Sequence, residues 1–180
     1  MPRIEGFIKP EKVLDRVEIS EGAQVADLGC GAGFFSLAAA KFVGNKGKVY
    51  AIDIQQSALS AVEDRAHLQG LEDIIKLVWA DLEILGSTKI KDSSIDLAIV
   101  VDVLFQNDGP EKILKEAKRM TKSGGKVLII DWKAKKLPLG PLPNNRISEH
   151  KVKEAAASLG LELIDSWDPS PYHYSLVCKK

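Results

Sequence analysis

Two cysteines in 180 residues are too few for a disulfide framework. Cys30 and Cys178 have no C-x-x-C partner, and a reducing compartment is the simpler setting. Charge of one sign is lacking as well. The 25 basic residues cancel the 25 acidic ones, so no global field holds a polyanion and no nucleic-acid partner is expected. Long apolar runs are absent. The stretch IDLAIVVDVLF is too short to span a bilayer and is broken by aspartate. The N-terminal MPRIEGFIKPEKV has no apolar core of the signal-peptide kind. These absences predict a cytoplasmic protein without membrane insertion. Hydrophobic residues at 45% and charged residues at 28% are close to the globular average, which excludes disordered and collagen-like chains. With no internal repeat and no long linker, residues 1–180 read as a single domain.

What is present is an alternation of short apolar runs and helical patterns. A short helix starts at Pro10, with Val13, Leu14 and Val17 on one face. QVADL (24–28), KVYAID (48–53), IIKLVWA (74–80) and SIDLAIVVDV (94–103) read as strands, the last buried on both faces. Small apolar residues at 34–42 and a one-sided pattern at 55–69 read as the intervening helices. Asp108-Gly-Pro-Glu111 resembles a capping box before a helix carrying Ile113, Leu114, Ala117 and Met120. Ser123-Gly-Gly125 reads as a turn into KVLIID (126–131), followed by a Lys- and Pro-rich loop at 132–147. Ser148 caps a last helix. LELIDSW (161–167) and YSLVCKK (174–180) close the chain as an antiparallel pair about the turn Asp168-Pro-Ser-Pro171. Trp79 and Trp167 read as sheet packing. Strands alternating with helices imply an α/β, Rossmann-like, doubly wound sheet in three layers, α/β/α. In such sheets ligands bind beyond the carboxyl ends of the strands.

Three of those ends carry acids. The first reads Asp27-Leu-Gly29-Cys30-Gly31-Ala-Gly33-Phe34. Glycines there let the backbone approach a ligand. A dinucleotide fingerprint wants a third glycine at position 34, where this chain has phenylalanine. Asp27 repels pyrophosphate and suits a cationic ligand. Asp53 ends the second strand, 20 residues after Gly33, where a carboxylate accepts both hydroxyls of a ribose. Asp81 ends the third, where it can accept from an exocyclic amine.

This constellation resembles the class I S-adenosylmethionine-dependent methyltransferases, and within them the small type-11-like members related to the ubiquinone/menaquinone-biosynthesis methyltransferases. VADLGCGAGFF is similar to that family's first motif and KVYAIDI to its second. The Ala80-Asp81 pair, IDLAIVVDVLF and SGGKVLIIDWK fit the later ones. The resemblance implies seven strands in the order 3-2-1-4-5-7-6, with strand 7 antiparallel. It implies S-adenosylmethionine as cofactor, leaving as S-adenosylhomocysteine. Asp27, Gly29, Cys30, Gly31 and Gly33 would cradle the methionine part. Asp53 and Ile54 would meet the ribose, and Ala80, Asp81 and Leu82 the adenine. Val101, Asp102 and Val103 would line the methyl-donor end.

The acceptor is written less clearly, because an activated methyl needs positioning more than a fixed catalytic group. The stretch after strand four lacks the Asn/Asp-Pro-Pro-Tyr motif of amino-group methylating members. Trp132 stands where a third metal ligand would be, so no metal is expected. Arg3, Phe7, Phe105, Gln106, Trp132, Arg146 and Tyr172 lie on segments able to cover the mouth, and are the candidate substrate contacts. His173 is the candidate base and Asp102 a second catalytic candidate. The reading is a methyltransferase acting on a small-molecule acceptor. A nicotinamide-dependent oxidoreductase and a non-catalytic cofactor-binding or interaction protein stay open beside it. A homodimer through exposed sheet edges is compatible with the pattern.

Overall fold

A computed structural model describes residues 8–106 and 109–180, with the side chain of Gln106 outside that description. Its centre is a seven-stranded sheet in the order β3-β2-β1-β4-β5-β7-β6. The strands are β1 (Gln24–Leu28), β2 (Lys48–Asp53), β3 (Ile75–Trp79), β4 (Ile95–Val101), β5 (Thr121–Trp132), β6 (Glu162–Ser170) and β7 (His173–Lys179). β1 to β5 are parallel to one another, and β7 runs antiparallel to β5 and β6. The helices are α1 (Pro10–Val17), α2 (Phe34–Val43), α3 (Gln56–Gln69), α4 (Glu111–Met120) and α5 (Glu149–Ser158).

Period-two alternation divides the strand side chains between two cores. Leu97 and Ile99 of β4 and Leu128 and Ile130 of β5 face α1, α2 and α3. Ala98, Val100, Val127 and Ile129 face α4 and α5. α2 lies between α1, α3 and the sheet, and its run of alanines allows that close approach: Ala39 and Ala40 are wholly buried. Ser148 caps α5, its hydroxyl accepting from Lys151 N at 3.3 Å. The expected cap at Asp108 falls outside the described residues. No helix among the described residues is long and apolar enough to cross a membrane.

Two predicted turns are absorbed into strands. Ser123-Gly-Gly125 lies within β5 as an irregularity, where Gly124 takes φ +79° and donates its amide to Lys180 O at 2.7 Å. That bond draws the chain end alongside, and the β4–β5 register shifts at this point. Asp168 and Pro169 lie within β6, where the register with β7 shifts between Trp167 and Ser170. Trp79 is 64% exposed at the end of edge strand β3 rather than packed on the sheet, and its indole N–H donates to Ile54 O. Trp167 is partly buried beneath the Arg16 guanidinium, 4.2 Å from its ring centre.

The segment between β3 and β4 is fastened to α4 by a buried charge. Glu116 is fully buried and accepts from Thr88 Oγ1, Gly86 N and both Nε and Nη2 of Arg119, at 2.6–2.9 Å. Burial opposes its ionisation, but the guanidinium, hydroxyl and amide outweigh burial and hold the carboxyl below its usual range. Arg119 also donates to Ile90 O and pairs with Asp92. Removing one partner of a buried pair strands the other, so Glu116→Ala is expected to lower stability by about 3–5 kcal/mol, measured by urea unfolding. Unchanged unfolding would show that the network contributes nothing.

Candidate active site

The carboxyl ends of β1 to β5 open onto one cavity of about 1290 Å³. It lies where the strand order reverses, between β1 and β4. The turn after β1 forms its floor. Gly29 has φ +75°, and a Cβ there would come within 2.5 Å of Val103. Only glycine lets the β1 turn and the β4 loop close up in this way. A Cβ on Gly31 would meet nothing within 4 Å and would point into open space. Gly33, by contrast, packs against α3, where a Cβ would come within 2.7 Å of Val62. It stands at the N-cap of α2, behind the residues that line the cavity.

The amides of this turn are already engaged. Gly29 N and Cys30 N both donate to Ile52 O, at 2.8 and 2.9 Å. Gly31 N donates to Asp53 Oδ2 at 2.9 Å, and Gln55 N donates to Asp53 Oδ1 at 2.9 Å. Asp53 therefore ties the first turn to the second with one hydrogen bond on each oxygen, and each oxygen retains a lone pair. Asp27 is buried beneath the turn rather than standing at the mouth. It accepts from Ser36 Oγ at 2.6 Å, and burial pushes its carboxyl up to about 6. Burial also raises the Cys30 thiol well above its ordinary value, so it is no thiolate nucleophile.

Ile54, Ala80, Asp81 and Leu82 line the adjoining wall. Asp81 Oδ1 accepts from Glu83 N at 2.9 Å, and the Ser87 hydroxyl donates to Asp81 O. Gln55 and Glu83, not anticipated from the pattern, complete this side. Their only sequence signal was a position two residues beyond a strand-end acid.

At the other end stand Val101, Asp102, Val103, Trp132, Tyr172 and His173. His173 borders the cavity with a buried Nε2 that makes no hydrogen bond among the described residues. Its ring is 4% exposed, with Nδ1 2.7 Å from Ser170 Oγ and Nε2 3.3 Å from Asp102 Oδ1. Ser170 went unnoticed in the sequence, although it sits three residues before the histidine. Asp131 is fully buried and accepts from Leu104 N and Trp132 N, pinning the β4 loop to the end of β5. Burial, with Asp102 nearby, pushes its carboxyl up to about 7.

The remaining substrate candidates fare differently. Arg146 is buried, and its guanidinium donates to the carbonyls of Pro141, Lys133, Lys135 and Leu139. Spent on four carbonyls, it shapes the loop after β5 instead of contacting an anion in the cavity. That loop delivers Leu139 and Gly140 to the cavity wall, with Gly140 pressed against Trp132. Phe105 faces a separate cleft bounded by Pro110, Arg146 and Ala155. Arg3, Phe7 and the Gln106 side chain lie outside the described residues. His67 and His150 are surface groups beside Glu72 and Glu154. Among the described residues no group of three potential metal ligands occurs.

Comparison with known proteins agrees with this geometry. Residues 19–169 match the family described as methyltransferase domain. A demethylmenaquinone methyltransferase of Lactobacillus johnsonii is 31% identical over 121 residues, 67% of this chain and 48% of the relative. A probable cobalt-precorrin-6B C(15)-methyltransferase of Methanosarcina mazei is 39% identical over 98 residues, 53% of this chain and 52% of the relative. The chain spans about half the length of these curated relatives. A SAM dependent methyltransferase of Aquifex aeolicus has a similar structure, with TM-score 0.86 and 29% identity, covering 95% of this chain and 89% of that one.

The two raised carboxyls fix the sign of a pH dependence. Between the ordinary 3.8 and about 6 for Asp27 or about 7 for Asp131, the folded chain binds more protons than the unfolded one. Stability of the unliganded protein is therefore expected to fall as pH rises through that window. Asp131→Asn is expected to flatten the upper part of the fall. Urea unfolding at several pH values checks both, and a wild-type stability rising from about pH 5 to about pH 7 would contradict the assignment.

Proposed function

The chain belongs to the methyltransferase-domain family, and from that premise we propose that it transfers a methyl group from S-adenosylmethionine to a small-molecule acceptor by in-line displacement. The observation that carries the proposal is the convergence of Asp53, Asp81 and the open Gly31 on one cavity. In this reading the turn at Gly29, Cys30 and Gly31, backed by Asp27, takes the methionine part. Asp53 accepts the ribose hydroxyls on its spare lone pairs, and Ile54 and Leu82 flank the base whose amine meets Asp81. Val101, Asp102 and Val103 face the methyl-donor end. At about 1290 Å³ the cavity exceeds the usual range of single-ligand pockets, which leaves room for an acceptor beside the cofactor.

When bound, the cofactor supplies a methyl carbon on a sulfonium whose leaving group is a neutral thioether. The residues of this chain have then to align a nucleophile behind that carbon and exclude water. Trp132, Tyr172 and Leu139 supply an apolar wall for this purpose, and Arg146 holds the loop that carries Leu139. Relatives named for acceptors as unlike as a demethylmenaquinone and a cobalt-precorrin leave this acceptor to be read from the wall itself. We further take the chain to work in the cytoplasm, a reducing compartment in which Cys30 and Cys178 stay thiols.

The nicotinamide reading loses support at the first turn. A dinucleotide cradle offers backbone N–H groups to a pyrophosphate. Here Gly29, Cys30 and Gly31 have given theirs to Ile52 O and Asp53.

S-adenosylhomocysteine is expected to raise the melting temperature and NAD to leave it unchanged, as mass action requires of a native-state ligand. A shift with NAD alone would reverse the assignment. Asp53→Ala is expected to weaken S-adenosylhomocysteine binding by about 1.5–3 kcal/mol, the scale of charge-assisted hydrogen bonds. Unaltered affinity in calorimetry would remove Asp53 from the site.

A further inference from the structure

Five acidic side chains line the cavity, Asp27, Asp53, Asp81, Glu83 and Asp102, and no lysine or arginine among the described residues does. The bases of the surrounding segments are turned elsewhere. Arg65 donates to Ala32 O and lies over the Phe34 ring, and Lys112 lies 3.6 Å from Glu83 Oε2. The loop after β5 carries Lys133, Lys135, Lys136 and Arg146, yet it meets the cavity with Trp132, Leu139 and Gly140. Lys133 pairs with Asp168 at 2.6 Å, Lys135 and Lys136 are exposed, and Arg146 is spent on backbone carbonyls. At the methyl-donor end the acid Asp102 stands beside the buried ring of His173.

The apolar part of this end is preformed. The Trp132 ring packs against His173, with ring centres 4.1 Å apart. Gly140, at φ +88°, lies so close that a Cβ on it would come within 2.5 Å of the indole. Glycine is what lets the loop seat on Trp132, and Arg146 braces the loop by accepting the carbonyl of Leu139 onto its guanidinium. Tyr172 and Leu139 continue the same wall. A wall ordered before binding loses little freedom when a ligand arrives.

We propose that the acceptor is an uncharged, largely apolar ring compound, and that carboxylates and phosphates are turned away by the charge of the cavity. This deepens the methyl-transfer reading and rests on it. An anion entering here gives up hydration, meets like charge, and finds no cation among the described lining residues to replace its water. A neutral ring gives up little and covers Trp132, Tyr172 and Leu139, which favours its transfer from water. The acids that repel an anion also favour the positive sulfonium of a methyl donor, so one field serves both choices.

The experiment is calorimetric titration of the whole chain, first saturated with S-adenosylhomocysteine, with two probes of nearly equal shape. One is 2-naphthamide, which is neutral, and the other 2-naphthoate, which is an anion. The titrations are run at about pH 8, above the ordinary range of histidine titration. The amide is expected to bind roughly tenfold or more tightly than the carboxylate, a difference that like charge at several ångströms supplies. Leu139→Arg sets a cation at a half-exposed position of the wall and is expected to cut that preference roughly tenfold, while S-adenosylhomocysteine still binds. Trp132→Ala is expected to weaken the amide by roughly tenfold, the scale of a lost aromatic contact. Equal affinities in the wild type, tighter binding of the carboxylate, or binding of neither probe would overturn the proposal and leave the methyltransferase reading intact. So would a preference unchanged by Leu139→Arg, which would make it a matter of shape rather than charge, or an amide affinity unchanged by Trp132→Ala. A chain that does not take S-adenosylhomocysteine at all would sink the methyltransferase reading and this inference with it.

Discussion

The site depends on one carboxylate. Asp53 stands at the end of β2 and accepts the amides of Gly31 and Gln55, one on each oxygen. Two loops that each follow a different strand are thereby set at a fixed separation. Gly29 then has to lie within a methyl group's reach of Val103, which brings the β4 loop to the same floor. Remove the charge at position 53 and the turn loses both its anchor and, in the methyl-transfer reading, its grip on a ribose.

A second theme is how this fold handles acids inside it. Glu116 is buried yet ionised, because a guanidinium, a hydroxyl and an amide converge on it. Asp27 and Asp131 are buried with fewer donors, and burial prevails, raising both carboxyls. The difference lies in the donors, one of them a guanidinium, and in depth, since Asp27 and Asp131 are embedded more deeply than Glu116. The first arrangement serves attachment, holding the segment after β3 against α4. The other two lie beneath or beside the cavity, where a change in charge is felt by whatever binds.

Much of the site could be read from residue order. Strand-end acids at 27, 53 and 81 all border the cavity, as do Gly29, Cys30, Gly31, Ile54, Ala80 and Leu82. They are legible because a parallel sheet sends every strand's carboxyl end to the same edge, so position along the chain predicts position in space. Arg146 and Phe105 were not legible. Both lie on connections with no apolar periodicity to fix their path: four carbonyls of its own loop hold Arg146 inward, and Phe105 lines a cleft shared with α5. The close approach of Gly33 to Val62 was not legible either, since Val62 belongs to another helix.

The amino-acid sequence by itself determined the alternation of strands and helices, the placing of acids and glycines at strand ends, and the resemblance to the methyltransferase family. These are local or periodic properties, set by backbone sterics and by which faces must be buried. Only the tertiary structure decided that Asp27 lies under the turn and Asp53 across it, that Arg146 braces a loop, and that Ser170, His173 and Asp102 fall into line. The last of these joins β6, β7 and the loop after β4. A charge or a hydrogen bond between strands has no signature in either strand alone, because its strength depends on distance, burial and competing donors that exist only once the sheet has formed.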